Sequence, residues 1–142
     1  MGVVLARRAT AAALGALAES LGAAPRLLLF AGPGPVTPEE DAAFDAVTLL
    51  DAPLAAPEVD AGALVFGPAA PEPTLVISSG RPAWWRILGS DGRALLQGPA
   101  AGGGSGAFHL TLSKAVLAAG QPVRIGRLRL TFAASELLAG GA

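Results

Sequence analysis

From Pro25 onward, glycine and proline cut the chain into brief apolar runs: "RLLLFAG", "VTLLDA", "ALVFG", "TLVIS", "AWWRIL", "RALLQ", "AFHLTL" and "VRIGRLRLTF". Turn signals recur about every ten residues, the spacing of strands in an all-β body. No helical run lies between them to make parallel crossovers, so the strands are expected to pair antiparallel. The expected fold is mainly β: a single-domain antiparallel β-sandwich, jelly-roll-like or immunoglobulin-like, with an N-terminal α-helix. A chain of 142 residues suits one core. Its expected divisions are a helical segment over 1–24, the sandwich over 25–132 and a tail over 133–142.

The helix is expected over Arg7 to Leu21, where Leu14, Leu17 and Leu21 share one face and Gly22 supplies the stop. This N-terminus has the look of a secretory signal, arginines ahead of an alanine-leucine run, but Glu19 and Ser20 interrupt it. Gly2 does not start a myristoylation motif, because Ala6 stands where serine or threonine is needed. No stretch approaches the ~18 apolar residues of a membrane span. Farther on, Thr37, Pro38 and Glu40 form a capping box with proline at the first helical position, predicting a short helical turn over "TPEEDAAF".

Three local features carry more detail. Asp91-Gly92 suits a tight turn, so residues 83–88 should pair with 93–97. In the closing run, apolar positions are odd at Val123 and Ile125 but even at Leu128, Leu130 and Phe132. Strand side chains alternate with period two, so the phase slips and predicts a β-bulge at Gly126-Arg127. The stretch "GPAAGGGSGA", residues 98–107, reads as a flexible loop, without the spacing or context of a phosphate-binding loop.

Charge and composition exclude several function classes. Ten basic and eleven acidic residues leave a net charge of -1, which gives no electrostatic case for nucleic acid or an anionic membrane as partner. Charged residues are only 15% of the chain, so its surface offers little like-charge resistance to self-association. The absence of cysteine removes thiolate chemistry, disulfides and zinc-thiolate sites. His109, the single histidine, alternates to the side opposite Phe108, Leu110 and Leu112, and no nucleophile elbow accompanies it. Glu39, Glu40, Asp41 and Asp45 read as helix-start carboxylates rather than a calcium loop. Asp51, Glu58, Asp60 and Glu72 have no spacing that would pair them as glycosidase carboxylates. The expectation is a protein that is not an enzyme, with no catalytic residues, metal or cofactor.

Trp84 and Trp85 are neighbours on a strand, so they face opposite sides and one should belong to the core. The other has three readings: an interface residue, a side chain packed under the N-terminal helix, or a stacking platform for a sugar or base.

Taken in order, "LLLFAGPGPVTPEE", "AWWRILGSDGRALLQG" and "AFHLTLSKAVLAAGQPVRIGRLRLTF" resemble a family of short proteins from the structural gene modules of tailed phages and prophages. The resemblance rests on four steps. Gly32 to Pro35 make a Gly-x-x-Pro turn, Thr37-Pro38-Glu39 follow, Trp85-Arg86-Ile87 precede Asp91-Gly92, and Ala118 to Gln121 precede the closing strand. It spans Arg26 to Phe132 and departs in the Pro-Ala-rich residues 52–73 and in the C-terminal tail. It implies a virion structural protein, a capsid decoration or cement protein on the outer face of the phage head. The implied partners are the major capsid protein and copies of the chain itself, a homo-oligomer such as a trimer. The alternatives are a tail, neck or fibre-associated component, or a carbohydrate-binding β-sandwich module. The expected interface residues are Leu14, Leu17 and Leu21 of the helix, Trp84 and Trp85, and Leu137 and Leu138 of the tail.

Overall fold

A computed structural model describes residues 7–32, 47–67, 73–102, 110–112, 116–123 and 128–131. The chain is mainly β with one helix near its N-terminus, as expected, in an arrangement consistent with a β-sandwich. Helix α1 spans Arg7–Leu21, followed by β1 (Arg26–Ala31), β2 (Val47–Pro53), β3 (Glu58–Asp60), β4 (Ala63–Phe66) and β5 (Thr74–Leu75). Then come β6 (Trp84–Leu88), β7 (Ala94–Gly102), β8 (Leu110–Leu112), β9 (Pro122–Val123) and β10 (Leu128–Thr131). They form a five-stranded sheet in the order β2-β1-β6-β7-β8, a three-stranded sheet β10-β4-β3 and a two-stranded ribbon β5-β9.

The register of the large sheet follows from its apolar alternation. Leu27 of β1 faces Ala52 on one side and Ile87 on the other, and Leu29 faces Leu50 and Trp85. These six side chains lie on one face and are buried in one core with Leu64, Phe66, Leu128 and Leu130 of the three-stranded sheet. Each fully buried side chain of this kind contributes about 1.5–3 kcal/mol relative to exposure, so the sheet-on-sheet contact is the main stabilising layer. Two irregularities adapt it. The β1/β2 register shifts at Leu29/Phe30, and the extra residue lets the consecutive Leu49 and Leu50 both reach full burial. The β6/β7 register shifts at Ile87/Leu88, leaving Leu95 as the extra residue on β7.

Helix α1 has the predicted bounds and packs on β3 and β4. Its Leu21 enters the main core and Leu14 is fully buried. Ahead of the expected run "ALVFG", the Pro-Ala-rich stretch also holds β3, an exposed edge strand that no apolar run announces. It joins β4 through a two-residue turn, Ala61-Gly62, with Asp60 paired to Ala63. Both turn residues have positive φ, 49° at Ala61 and 79° at Gly62, the signature of the hairpin turn that matches strand twist. Alanine in the left-handed region costs about 1–2 kcal/mol. Ala61→Asn should recover about 0.5–1 kcal/mol of this, because asparagine tolerates that region. A higher midpoint in urea unfolding, with unchanged slope, is the expected result.

Three strand expectations need correction. The glycine-rich stretch is not a loop from residue 98: β7 continues through it to Gly102, because Gly98 and Pro99 pair with Trp85 and Trp84. The sheet is not antiparallel throughout, since β7 and β8 pair parallel. The closing run does not keep one partner either: β9 pairs with β5 whereas β10 pairs with β4. The bulge expected at Gly126-Arg127 and the capping box at Thr37 lie outside the described residues.

Candidate functional site

Helix α1 meets the β6/β7 hairpin at Ser90, and this explains the Ser-Asp-Gly between the two strands. The hairpin loop closes with the Gly89 N–H donating to the Arg93 carbonyl at 2.8 Å and the Gly92 N–H to the Gly89 carbonyl at 2.9 Å. Gly92 supplies φ 84°, and the Asp91 carboxylate accepts from the Arg93 N–H at 3.0 Å. Ser90 is left facing the end of α1. Its N–H donates to the Leu21 carbonyl at 2.9 Å, and its hydroxyl donates to the same carbonyl at 3.1 Å. That hydroxyl also accepts from the Ala24 N–H at 2.9 Å. These bonds satisfy groups that a helix end leaves orphaned. The hairpin therefore serves as a helix clamp.

Both tryptophans are buried, Trp84 at 6% and Trp85 at 3% exposure. Trp85 lies in the main core. Trp84 lies on the opposite face of the sheet, where it stacks on Phe30 with centroids 4.1 Å apart and planes 11° apart. The Arg86 guanidinium sits 5.2 Å from its ring centroid and donates to the Gln97 side-chain oxygen at 3.0 Å. The expectation of one outward tryptophan is thus corrected: the sheet is filled on both faces and neither indole is presented to a partner. A sugar platform needs an exposed ring, yet among the described residues all four aromatic side chains, Phe30, Phe66, Trp84 and Trp85, are buried.

The same correction applies to the helix. Leu14 and Leu21 are fully buried in the chain, so neither is available as a free interface residue, and Leu17 is partly buried against the core. In its first half α1 exposes Arg8, Ala9, Ala11, Ala12 and Ala13, and farther on Ala16, Glu19 and Ser20. Leu137 and Leu138 lie outside the described residues, as do His109, the acids Glu39 to Asp45, and Glu72.

Two of the carboxylates in view, Asp51 and Asp60, are tied up structurally. Asp51 forms a two-pronged pair with Arg26, and Asp60 accepts from Arg129 at 3.2 Å. Among the described residues no three histidines or acids converge on a point that could hold a metal. A shallow groove of about 570 Å³ runs between residues 23–26 and 53–56. Alanine, proline and leucine line it, and its one charged group, Arg26, is engaged by Asp51. It offers apolar contact and no acid-base pair.

A surface that sequence reasoning missed lies on the ribbon β5-β9. Leu75, Ile77 and Val116 are 59%, 57% and 49% exposed, whereas the interleaved Val76 and Leu117 are buried. The signal was present in "TLVIS": strict alternation lets only one of its faces enter a core. The Ala118 to Gln121 step of the resemblance also lies here, and it is a turn. Gly120 has φ 83°, the Gln121 N–H donates to the Ala118 carbonyl at 2.9 Å, and the Gln121 side chain accepts from the Ala118 N–H at 3.0 Å. Comparison with protein-family models, curated proteins and solved structures finds no match.

Proposed function

We propose that this chain is a virion structural protein, a capsid decoration or cement protein that binds the outer face of a phage shell and copies of itself. The observation that carries this reading is the division of α1. Its second half buries Leu14 and Leu21 in the chain's own core, while Arg8, Ala9, Ala11, Ala12 and Ala13 of its first half are all exposed. Short helices are marginal in water unless a face is covered, and the first turn holds no acid to favour its positive end. A projecting arm of this kind gains from a partner that covers it. Identical copies on a shell repeat such a contact many times, so a weak single contact becomes a firm attachment.

The test separates the arm from the core. Removing residues 1–21 would strip buried Leu14 and Leu21, so the informative deletion is 2–13. The deleted protein should keep its far-ultraviolet circular dichroism in the strand region and lose co-sedimentation with empty shells assembled from a tailed-phage major capsid protein. Undiminished co-sedimentation would overturn the reading. Attachment to purified tails, with none to heads, would replace it with a tail component.

A further inference from the structure

We infer that Asp91-Gly92 is a self-modification site, at which the native hairpin rearranges to an isoaspartyl link and releases the end of α1. The nucleophile is the Gly92 backbone nitrogen and the electrophile is the side-chain carboxyl carbon of Asp91, two groups of one chain that close a five-membered ring. Three observations favour the ring at this turn. The Arg93 N–H donates to the Asp91 carboxylate at 3.0 Å, which folds the carboxyl back along the Gly92 peptide. Beyond its chain neighbours, no atom lies within 4 Å of where a Gly92 Cβ would stand, so no side chain shields the nitrogen. Ser90, Asp91, Gly92 and Arg93 are all exposed, so water reaches the ring. The restraint is the Gly92 N–H bond to the Gly89 carbonyl at 2.9 Å, and exposed loop tips open locally far more often than a core unfolds. Asp51 and Asp60 differ on each count: alanine follows both, they lie in β2 and β3, and arginines hold their carboxylates.

The rearrangement needs water alone. The carboxylate takes a proton from solvent, the Gly92 nitrogen adds to its carbon, and the carbon–oxygen bond breaks so that hydroxyl and amide proton leave together as water. Water then adds to the main-chain carbonyl carbon of Asp91, whose bond to the Gly92 nitrogen breaks as the nitrogen regains a proton. That carbon becomes a free carboxylate, its proton returns to solvent, and the chain now runs through the former side chain. One water has left and one has entered, and nothing is oxidised or reduced.

The product backbone is one carbon longer inside a loop whose closing bonds, Gly89 to Arg93 at 2.8 Å and Gly92 to Gly89, fit the original length. Ser90 sits in that loop and holds the Leu21 carbonyl and the Ala24 N–H. Lengthening the loop draws Ser90 away from both. The inference does not draw on the shell-binding reading.

The experiment incubates the purified, folded full chain for several weeks at neutral pH in water enriched in heavy oxygen, beside Asp91→Glu, whose ring would need an extra member. Trypsin in ordinary water then cuts after Arg86 and Arg93. Expected is a second Ile87–Arg93 peptide that separates chromatographically and carries the heavy oxygen, with no counterpart at Asp51, at Asp60 or in the variant. Hydrogen exchange of the aged chain should show two populations at Ala24, the fast fraction matching the isomerised fraction and exchanging at least about tenfold faster. An Ile87–Arg93 peptide that stays single in the folded chain overturns the inference, the urea-unfolded chain serving to show that the separation resolves the isomer. An isomerised fraction in which Ala24 exchanges as in fresh protein overturns it as well.

Discussion

Replacing Trp85 with alanine is expected to lower stability by about 3–5 kcal/mol, a large share of the ~5–15 kcal/mol available to a domain. The indole lies between Leu29 of β1 and Gly98 of β7 and reaches the core that Leu64 and Phe66 enter from the second sheet. A hole there cannot close without moving both sheets. Trp84→Ala should also be costly, but by another route: it removes the stack on Phe30 and the ring beneath the Arg86 guanidinium. Aromatic pairing adds about 0.5–1.5 kcal/mol beyond area burial, and a desolvated cation–π contact about 2. The two sites separate on phenylalanine. Trp84→Phe keeps a ring between Phe30 and Arg86 and should recover most of the loss, whereas Trp85→Phe still leaves a void in the core. Urea midpoints of the four variants decide this. A Trp84→Ala protein as stable as wild type would show that the far face of the sheet is not packed.

These two side chains also mark where sequence reading stopped. The bounds of α1 were legible because Leu14, Leu17 and Leu21 recur at helical spacing and Gly22 ends them; the hairpin was legible because Asp91-Gly92 has turn chemistry. Alternation placed Trp84 and Trp85 on opposite faces correctly. It could not tell that the second face is also filled, because that depends on Phe30 lying opposite Trp84 in a register between distant strands. The same register accounts for "GPAAG" behaving as strand. Gly98 and Pro99 stand across from Trp85 and Trp84 in the ladder, a pairing that, without the partner strand, reads as a loop composition.

The candidate surfaces were less legible still. Periodicity reports which residues a core can accept, and so Leu14 and Leu21 were offered as interface when the chain's own sheets take them. The three most exposed large apolar residues, Leu75, Ile77 and Val116, sit on or beside strands too short to show a repeating pattern. Only the pairing of Thr74 and Leu75 with Val123 and Pro122 and the bridge between Gly80 and Leu117 bring the two segments together.

Gly22→Ala is the second change expected to have a large effect, about 2–4 kcal/mol of destabilisation. Gly22 has φ 77°, where a side chain costs about 1–2 kcal/mol. An added Cβ would also stand 2.5 Å from the Ser90 hydroxyl oxygen and 3.1 Å from its Cβ. To admit it, Ser90 must withdraw from the Leu21 carbonyl and the Ala24 N–H, and each lost hydrogen bond costs about 0.5–1.5 kcal/mol. The helix end would then part from the hairpin that clamps it, and buried Leu21 is the residue at that end. A double-mutant cycle with Ser90→Ala distinguishes strain from collision. Ser90→Ala alone should cost about 1–3 kcal/mol, the two hydroxyl bonds. In that background Gly22→Ala meets no hydroxyl oxygen and retains the φ strain with the weaker 3.1 Å approach, so the double variant should lose less than the sum of the singles. Additive losses in denaturant midpoints would mean that the hairpin and the helix end act independently, and that Ser90 is not what holds them together.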